Sequence, residues 1–507
     1  MQHTQCVTAD AGLSHPDFQP GRKARSNNGD GSPRRRRPWP DTIRAAILAF
    51  GATSWLAAAD GTSAATGAGA SPRDTAPELA DWLARLGLEH VPLPMLTGLQ
   101  FTMIRQHLYP LNSPYASNLS LPADGDTANS YTYGVYTGWE PLRHLQLYLD
   151  IELFQGGGIG NVTGLGSLTN GDPIRQGASS LPKTPYAARK YLRYVLPLSD
   201  SSHEVERAQD SLPGQEADTR LEFKLGTMAA PDDFDKNRYA NSTRTQFENW
   251  SLFQNTAWDY AADTRGYSGG LMIGYISPAW SLRYGIYQMP RFANGQPLDS
   301  PITHANGQQL ELTLQQPRDN GWVVRALVYQ NTARMGLYRE ALAIGQANGT
   351  TPDIVADDKP YRRKYGFALN GELPLADDGE TGLFARVGWN DGRTESFAFT
   401  QVDRLVTFGG QLDGVHWARP SDRLGLAYVI GNLSGPQEEY LAAGGLGFVV
   451  GDGRIDYGAE RVLESYYRFE PFKGVQLSGD FQRIDNPGYN KDRGPANVIG
   501  FRIHLEY

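Results

Sequence analysis

Leu145-Gln146-Leu147-Tyr148-Leu149-Asp150-Ile151-Glu152-Leu153 is the stretch that decides the fold. Every second side chain is aliphatic and those between are polar or phenolic, the period of a strand with one apolar and one wet face. The same alternation returns at Leu310, Leu312 and Leu314 against Gln309, Glu311 and Thr313. It recurs at Leu383, Ala385, Val387 and Trp389 against Arg386, Gly388 and Asn390, and at Ile499, Phe501, Ile503, Leu505 and Tyr507 against Gly500, Arg502, His504 and Glu506. A soluble sandwich also alternates, so the connections must discriminate. Tight turns fall near Pro141, Pro278, Asp319, Asp378, Pro420 and Lys473, and long connections cover 108–128, 155–185, 229–266, 290–307, 332–361, 433–460 and 485–496. Alternating tight and long connections mark a bacterial outer-membrane barrel, with tight periplasmic turns and long extracellular loops. One connection, roughly 198–218, is long where a tight turn is due. Strands laid out from 98–107 to 497–507 then number about sixteen, an even count, in an all-β transmembrane antiparallel barrel.

Composition agrees. The 507 residues include 57 Gly, 26 Tyr, 19 Phe and 10 Trp, suited to pleated surfaces, tight turns and interfacial aromatic girdles. With 47 Lys and Arg against 55 Asp and Glu, the chain lacks the basic excess that a nucleic-acid surface needs. Cys6 is the only cysteine, so neither a disulfide framework nor thiolate metal chemistry is expected.

The N-terminal region reads as three pieces. Residues 1–33 are a polar extension that is anomalous as a signal-peptide start, and a misassigned initiation codon or a linker-like extension would each account for it. Residues 34–65 carry Arg34-Arg35-Arg36-Arg37, an apolar run from Ile43 to Ala59 and small residues at Ala57-Ala58-Ala59 and Ser63-Ala64-Ala65. That is a signal-peptide pattern, with cleavage expected after Ala59 or Ala65. In the periplasmic segment 66–96, Leu79, Trp82, Leu83 and Leu86 after Pro77 predict a short amphipathic helix, the other reading being a solvated linker. Residues 97–507 are the barrel domain. Tyr507 ends an alternating strand on an aromatic, the form that outer-membrane assembly machinery recognises.

The stretch Asn486-Pro487-Gly488-Tyr489-Asn490-Lys491-Asp492-Arg493-Gly494-Pro495 resembles the end of carbohydrate-selective porins of the OprB family. Gly164-Leu165-Gly166-Ser167-Leu168-Thr169-Asn170-Gly171-Asp172 looks like a loop motif of the same family. So do Phe247-Glu248-Asn249-Trp250, Trp258-Asp259-Tyr260 with Arg265-Gly266-Tyr267, and Ser396-Phe397-Ala398-Phe399-Thr400 with Asp403-Arg404. The resemblance implies a barrel of about sixteen strands that lets mono- or oligosaccharides diffuse passively into the periplasm. It implies no catalytic residues and no cofactor. A general or differently selective porin for small hydrophilic solutes is the alternative on the same scaffold.

A sugar is a ring of hydroxyls with apolar faces, so a selective pore needs charged or amide groups for the rim and aromatics for the faces. The inward phase offers Asp150, Glu152, Arg189, Arg193, Glu222, Lys224, Arg325, Arg386, Glu464, Arg468, Asp480 and Arg502 as candidate pore-lining residues. Each could equally be one half of a cross-strand ion pair stiffening the wall. The long segment 229–266, with Arg244, Trp250, Trp258 and Tyr260, is the candidate constriction loop, the competing view being an extracellular loop packed on its neighbours. Gly156-Gly157-Gly158-Ile159-Gly160 precedes no helical pattern, so a flexible loop is expected rather than a phosphate cradle. Asp124-Gly125-Asp126 and Asp377-Asp378-Gly379 stop short of a calcium-loop ligand series and read as turns. The nine His form no metal-binding pair. An outer-membrane hydrolase would need a converging Ser/His or Asp/His set, and none is legible. The expected surroundings are outer-membrane lipid and lipopolysaccharide, with monomer and trimer both open.

Overall fold

The computed structural model of the protein describes residues 95–507 apart from 176–180, 318–319 and 399–400. The polar extension, the signal pattern and the short helix expected around Leu79–Leu86 lie outside the described residues. The first wall strand, β1 (Met95–Leu108), is followed by β2 (Asp126–Leu142), β3 (Leu145–Gly156) and β4 (Tyr186–Pro197). A small hairpin, β5 (Ser202–Val205) and β6 (Gly214–Ala217), intervenes before β7 (Arg220–Met228), β8 (Ser268–Ile276), β9 (Trp280–Gln288) and β10 (Asn306–Gln315). The wall continues through β11 (Val323–Met335), β12 (Lys359–Ala376), β13 (Thr381–Asn390) and β14 (Arg404–Asp413). It ends with β15 (Arg423–Asn432), β16 (Glu460–Phe472), β17 (Val475–Asp485) and β18 (Ala496–Glu506). Successive wall strands pair antiparallel, and β18 pairs back onto β1 with Leu505 opposite Phe101 and Phe501 opposite Arg105. Sixteen strands therefore close a barrel, and β5 and β6 pair only with each other.

Burial is inverted relative to a water-soluble sheet. Leu312 is 39% exposed, whereas its neighbours Glu311 and Thr313 are 1% and 4% exposed. Leu149, Leu383, Val387, Ile499 and Phe501 are likewise exposed, while Asp150, Arg386 and Arg502 are buried. An apolar outer face with a polar interior is the arrangement a bilayer demands of a strand. Aromatic pairs mark both rims. Phe367 stacks on Trp389 at 5.7 Å near the long-loop end, and Tyr275 meets Trp280 at 4.7 Å beside a tight turn.

The tight connections expected near Pro141, Pro278, Asp319, Asp378, Pro420 and Lys473 all join neighbouring strands at one end. At the other end every connection is long, including 391–403, which the sequence reading did not count among the long ones. Two helices, α2 (Tyr338–Asn348) and α3 (Gly435–Ala442), sit there after the single turn α1 (Trp250–Phe253). Ser434 caps α3 by accepting from the Gln437 N–H at 3.3 Å, and Pro436 occupies its first turn, where a missing N–H costs nothing. Tyr338 and Tyr440 pack at 5.2 Å within an apolar cluster that includes Ile354, Leu433, Val449, Val450 and Tyr489.

Leu312 lies between the level of the Trp280 rim and that of the Phe367 rim, at mid-depth of the apolar band. Leu312→Arg is expected to destabilise the barrel by about 2–4 kcal/mol, and Leu373→Arg, nearer the tight turns, by about 1 kcal/mol or less. Reversible urea unfolding from lipid vesicles measures both.

Candidate pore constriction

The connection 229–267 does not stand outside the barrel. It lies against the inner wall and is tied strand by strand to one side of it. Glu311 of β10 accepts from the Asp235 N–H at 2.8 Å, and Tyr329 of β11 donates to the Ala257 carbonyl at 2.8 Å. Asn370 of β12 donates to Asp235 at 2.7 Å, and Lys364 pairs with Asp259 at 3.3 Å. Arg386 of β13, fully buried, pairs with Asp235 at 3.1 Å and donates to the Leu252 and Ala240 carbonyls at 2.7 Å each. Glu464 of β16 accepts the consecutive N–H groups of Glu248 and Asn249 at 2.6 and 3.0 Å. Arg502 of β18 donates to the Thr243 and Gln246 carbonyls at 2.8 Å each. Burial, with Asp480 adding to it, pushes the loop carboxyl of Glu248 up to about 8 while Arg502 pulls the other way.

The preceding loop, 157–185, closes over the same side. Glu460 of β16 accepts from the Gly166, Ser167 and Gly488 N–H groups at 3.2, 2.6 and 2.8 Å, and Gln106 and Gln482 both donate to the Thr169 carbonyl. Gly164 takes φ +93°, and a side chain there would collide with the Leu121 backbone. A side chain on Gly166 would collide with the Tyr489 hydroxyl, so both glycines are required for the loop to seat.

What these loops leave open is the sector of β2, β3 and β4. A cavity of about 220 Å³ remains there. Four basic side chains, Arg189, Lys236, Arg244 and Arg265, face three carboxylates, Glu152, Asp172 and Asp232, around it. Most are held in fixed pairs. Arg244 bridges Asp172 at 3.0 Å and Glu152 at 3.2 Å, and Arg189 pairs with Asp232 at 2.7 Å and Asp150 at 3.3 Å. Tyr186 and Tyr267 both donate to Glu152, at 3.1 and 2.8 Å. Arg265 lies over the Tyr186 ring at 4.1 Å and Arg189 over the Tyr267 ring at 5.3 Å, so both cations are held against aromatic faces. A register shift between β3 and β4 pairs Asp150 with Arg189 but Ile151 with Ala187, leaving Ala188 extra. The bulge turns both Tyr186 and Arg189 inward, although three positions separate them. Trp250, Phe253 and Tyr260 supply aromatic surface from the loop side. Arg265 Nε and Gln254 Oε1 are buried there with no hydrogen-bond partner among the described residues.

The residues chosen from the sequence divide between two places. Glu152 and Arg189 line the cavity with the loop residues Arg244, Trp250 and Tyr260, and Asp150 touches it through Arg189. Arg386, Glu464, Asp480 and Arg502 face inward but lie buried beneath the loop, where Arg386, Glu464 and Arg502 hold loop backbone. Arg193 pairs with Glu222 at 2.6 Å, Lys224 with Asp233 at 2.5 Å, Arg325 with Glu372 at 2.5 Å and Arg468 with Glu470 at 3.8 Å. Trp258 is buried behind the lining between Phe234 and Tyr260. Sequence reasoning did not single out Tyr186, Asp232, Lys236 or Gln254. Asp172, Arg265 and Tyr267 stood in quoted motifs, which was the available signal for them.

Comparison with known proteins now bears on this geometry. Residues 137–507 match the family described as carbohydrate-selective porin, OprB family. The chain belongs to that family. It is a bacterial outer-membrane channel for carbohydrates and not an enzyme. A structure of Pseudomonas putida OprB at high pH is similar at 16% identity and TM-score 0.62, covering 84% of this chain and 97% of that one. The outer-membrane channel DcaP of Acinetobacter baumannii matches at 10% identity and TM-score 0.44, covering 82% and 97%. No curated protein matches this chain.

In this OprB-family porin the quoted motifs are the seating devices of the loops. Gly166-Ser167 sits on Glu460, Glu248-Asn249 on Glu464, and Asp259 accepts the Phe397 and Ala398 N–H groups at 2.7 Å each. Asn490 donates to Asp452 at 2.9 Å, and Arg493 pairs with the same Asp452 at 3.2 Å. Arg386→Leu removes the countercharge of the buried Asp235 carboxylate and a donor from four loop carbonyls, so a loss of about 3–5 kcal/mol is expected. The check is the urea midpoint of the variant in vesicles, with a rise in protease cleavage within 229–267.

Proposed function

We propose that the cavity between β2–β4 and the two inward loops is the sugar-selecting eyelet of this channel. The observation that carries this reading is the gathering of charges of both signs and aromatic faces around one cavity. A hydroxyl both donates and accepts, so a sugar losing water on entry needs carboxylates and amides as well as guanidinium groups. Glu152, Asp172 and Asp232 offer the first kind, and Arg189, Arg244 and Arg265 the second. Trp250, Tyr260 and Tyr267 are placed to contact the apolar face of the ring. Both charge signs in near balance suit a neutral polyol better than a single-sign ring would. Because Arg189, Arg244, Glu152, Asp172 and Asp232 are already paired, these five need not reorganise as solute passes. That favours weak, rapid binding, the condition for conduction without energy input. Arg386, Glu464 and Arg502 act one step back by holding the loop in place. We further infer that the chain reaches the outer membrane through the 34–65 signal and that the exposed Tyr507 serves as the assembly signal.

Single-channel recording in planar bilayers with added glucose and maltooligosaccharides tests the eyelet. Sugar-dependent block of the ionic current is expected. Tyr260→Ala should raise the half-blocking concentration by about fivefold, the equivalent of about 1 kcal/mol of aromatic contact. Current indifferent to every sugar would make the pore a general one for small hydrophilic solutes.

A further inference from the structure

The connection between β4 and β7 is the long segment at the tight-turn end, and the eyelet gives it no task. Its hairpin, β5 and β6, is exposed along the arms, but the tip, residues 206–213, turns back into the mouth of the barrel. Arg207 donates to the Thr97 carbonyl of β1 at 2.6 Å. Gln209 accepts from Gln100 of β1 at 3.3 Å and donates to Asp150 of β3 at 2.6 Å. Asp210 pairs with Arg189 of β4 at 3.3 Å. Leu212 is buried, and its N–H donates to the Tyr148 hydroxyl at 3.3 Å. At the base, Glu216 joins Arg193 at 2.7 Å and Arg220 at 2.8 Å.

These partners lie on the inner faces of β1, β3 and β4, within or beside the sector that the inward loops leave open. Arg189 joins the two ends: Asp232 of the 229–267 loop holds it from one side and Asp210 of the hairpin from the other. A solute that passes Arg189 therefore meets the tip next. A solvated connector would be indifferent to the wall, yet this tip spends Leu212, Gln209 and Asp210 on fixed contacts inside it and Arg207 on one at the exposed rim.

We propose that the 206–213 tip is a second constriction, in series with the eyelet, and that Gln209 and Asp210 on it limit the length of oligosaccharide that crosses. This rests on the eyelet reading, because it takes the route to run past Arg189. The tip presents amide, carboxylate and guanidinium groups together, so it favours the same hydroxyl-rich solutes and sieves them by size.

The test replaces residues 200–218 of the full chain with an Asn-Gly turn and records conductance and liposome swelling beside the unaltered porin and Tyr260→Ala. Two constrictions of similar resistance in series predict that conductance rises about twofold on removing one. Uptake of maltohexaose should rise relative to glucose, while sugar block at the eyelet persists. A folded excision variant with unchanged conductance and unchanged size limit overturns the proposal. Should excision prevent folding, Gln209→Trp adds bulk at the tip and must lower conductance about twofold or more; unchanged conductance in a folded Gln209→Trp porin overturns it equally. If Tyr260→Ala alone shifts sugar block, only the second constriction falls. If neither change has an effect, the route does not pass Arg189 and the eyelet reading falls with it.

Discussion

Hydrocarbon offers no hydrogen bonds, and the rest of this structure depends on that constraint. Every N–H and C=O in the bilayer must find a partner within the sheet, so the sheet has to close, and the β1–β18 pairing is the closure. Once it is made, the outer face belongs to Leu, Val and Phe, and polar side chains can go only inward. The interior of a sixteen-strand barrel is too wide for wall side chains to fill. Chain folded back from the loops occupies it, packing aromatic side chains such as Phe234, Phe247 and Trp258 together with many polar groups against the wall.

Seating a loop there raises a second problem, because irregular backbone carries unpaired N–H groups into a place with little water. The structure answers it repeatedly in one way. A buried acceptor takes two or three neighbouring N–H groups: Glu464 those of Glu248 and Asn249, Asp259 those of Phe397 and Ala398, and Gln401 those of Val449 and Val450. Where the acceptor is an ionised carboxylate such as Asp259, hydrogen bonds of this kind are about twice as strong as neutral ones, which helps offset its desolvation, whereas Gln401 does the same with a neutral amide oxygen. Arg386 and Arg502 do the converse for carbonyls. The loops are consequently held by their main chain, and their outward-facing side chains remain available to the solute.

Strand positions, inward phase and the tight-turn order were legible because they depend on a local period of two, which each segment carries by itself. Leu145–Leu153 announces its two faces without reference to any other part of the chain. The division of the inward charges was not legible. Arg189 and Arg386 look alike in sequence, each a basic residue on the polar phase of a strand. They differ only in whether the 229–267 loop covers them, a fact set by contacts more than a hundred residues away. Trp250 and Trp258 likewise stand eight positions apart in one loop, one on the cavity and one behind it. The inward turn of Tyr186 depends on the bulge at Ala188, which breaks the very periodicity used to assign faces. Family motifs carried what periodicity could not, since Gly166, Glu248 and Asp259 belong to conspicuous stretches whose role emerged only from their partners across the lumen.

Alternation of faces has a consequence for how such a protein can change over generations. Neighbouring residues answer to different surroundings: Leu149 and Ile151 to lipid, Asp150 and Glu152 to the polar interior. Substitutions that recut the path leave the hydrocarbon contact unaltered, and drift among Leu, Ile and Val outside leaves the path unaltered. Cargo and residence can therefore diverge independently within one chain, and a lineage can acquire a new diet without having to solve membrane insertion a second time.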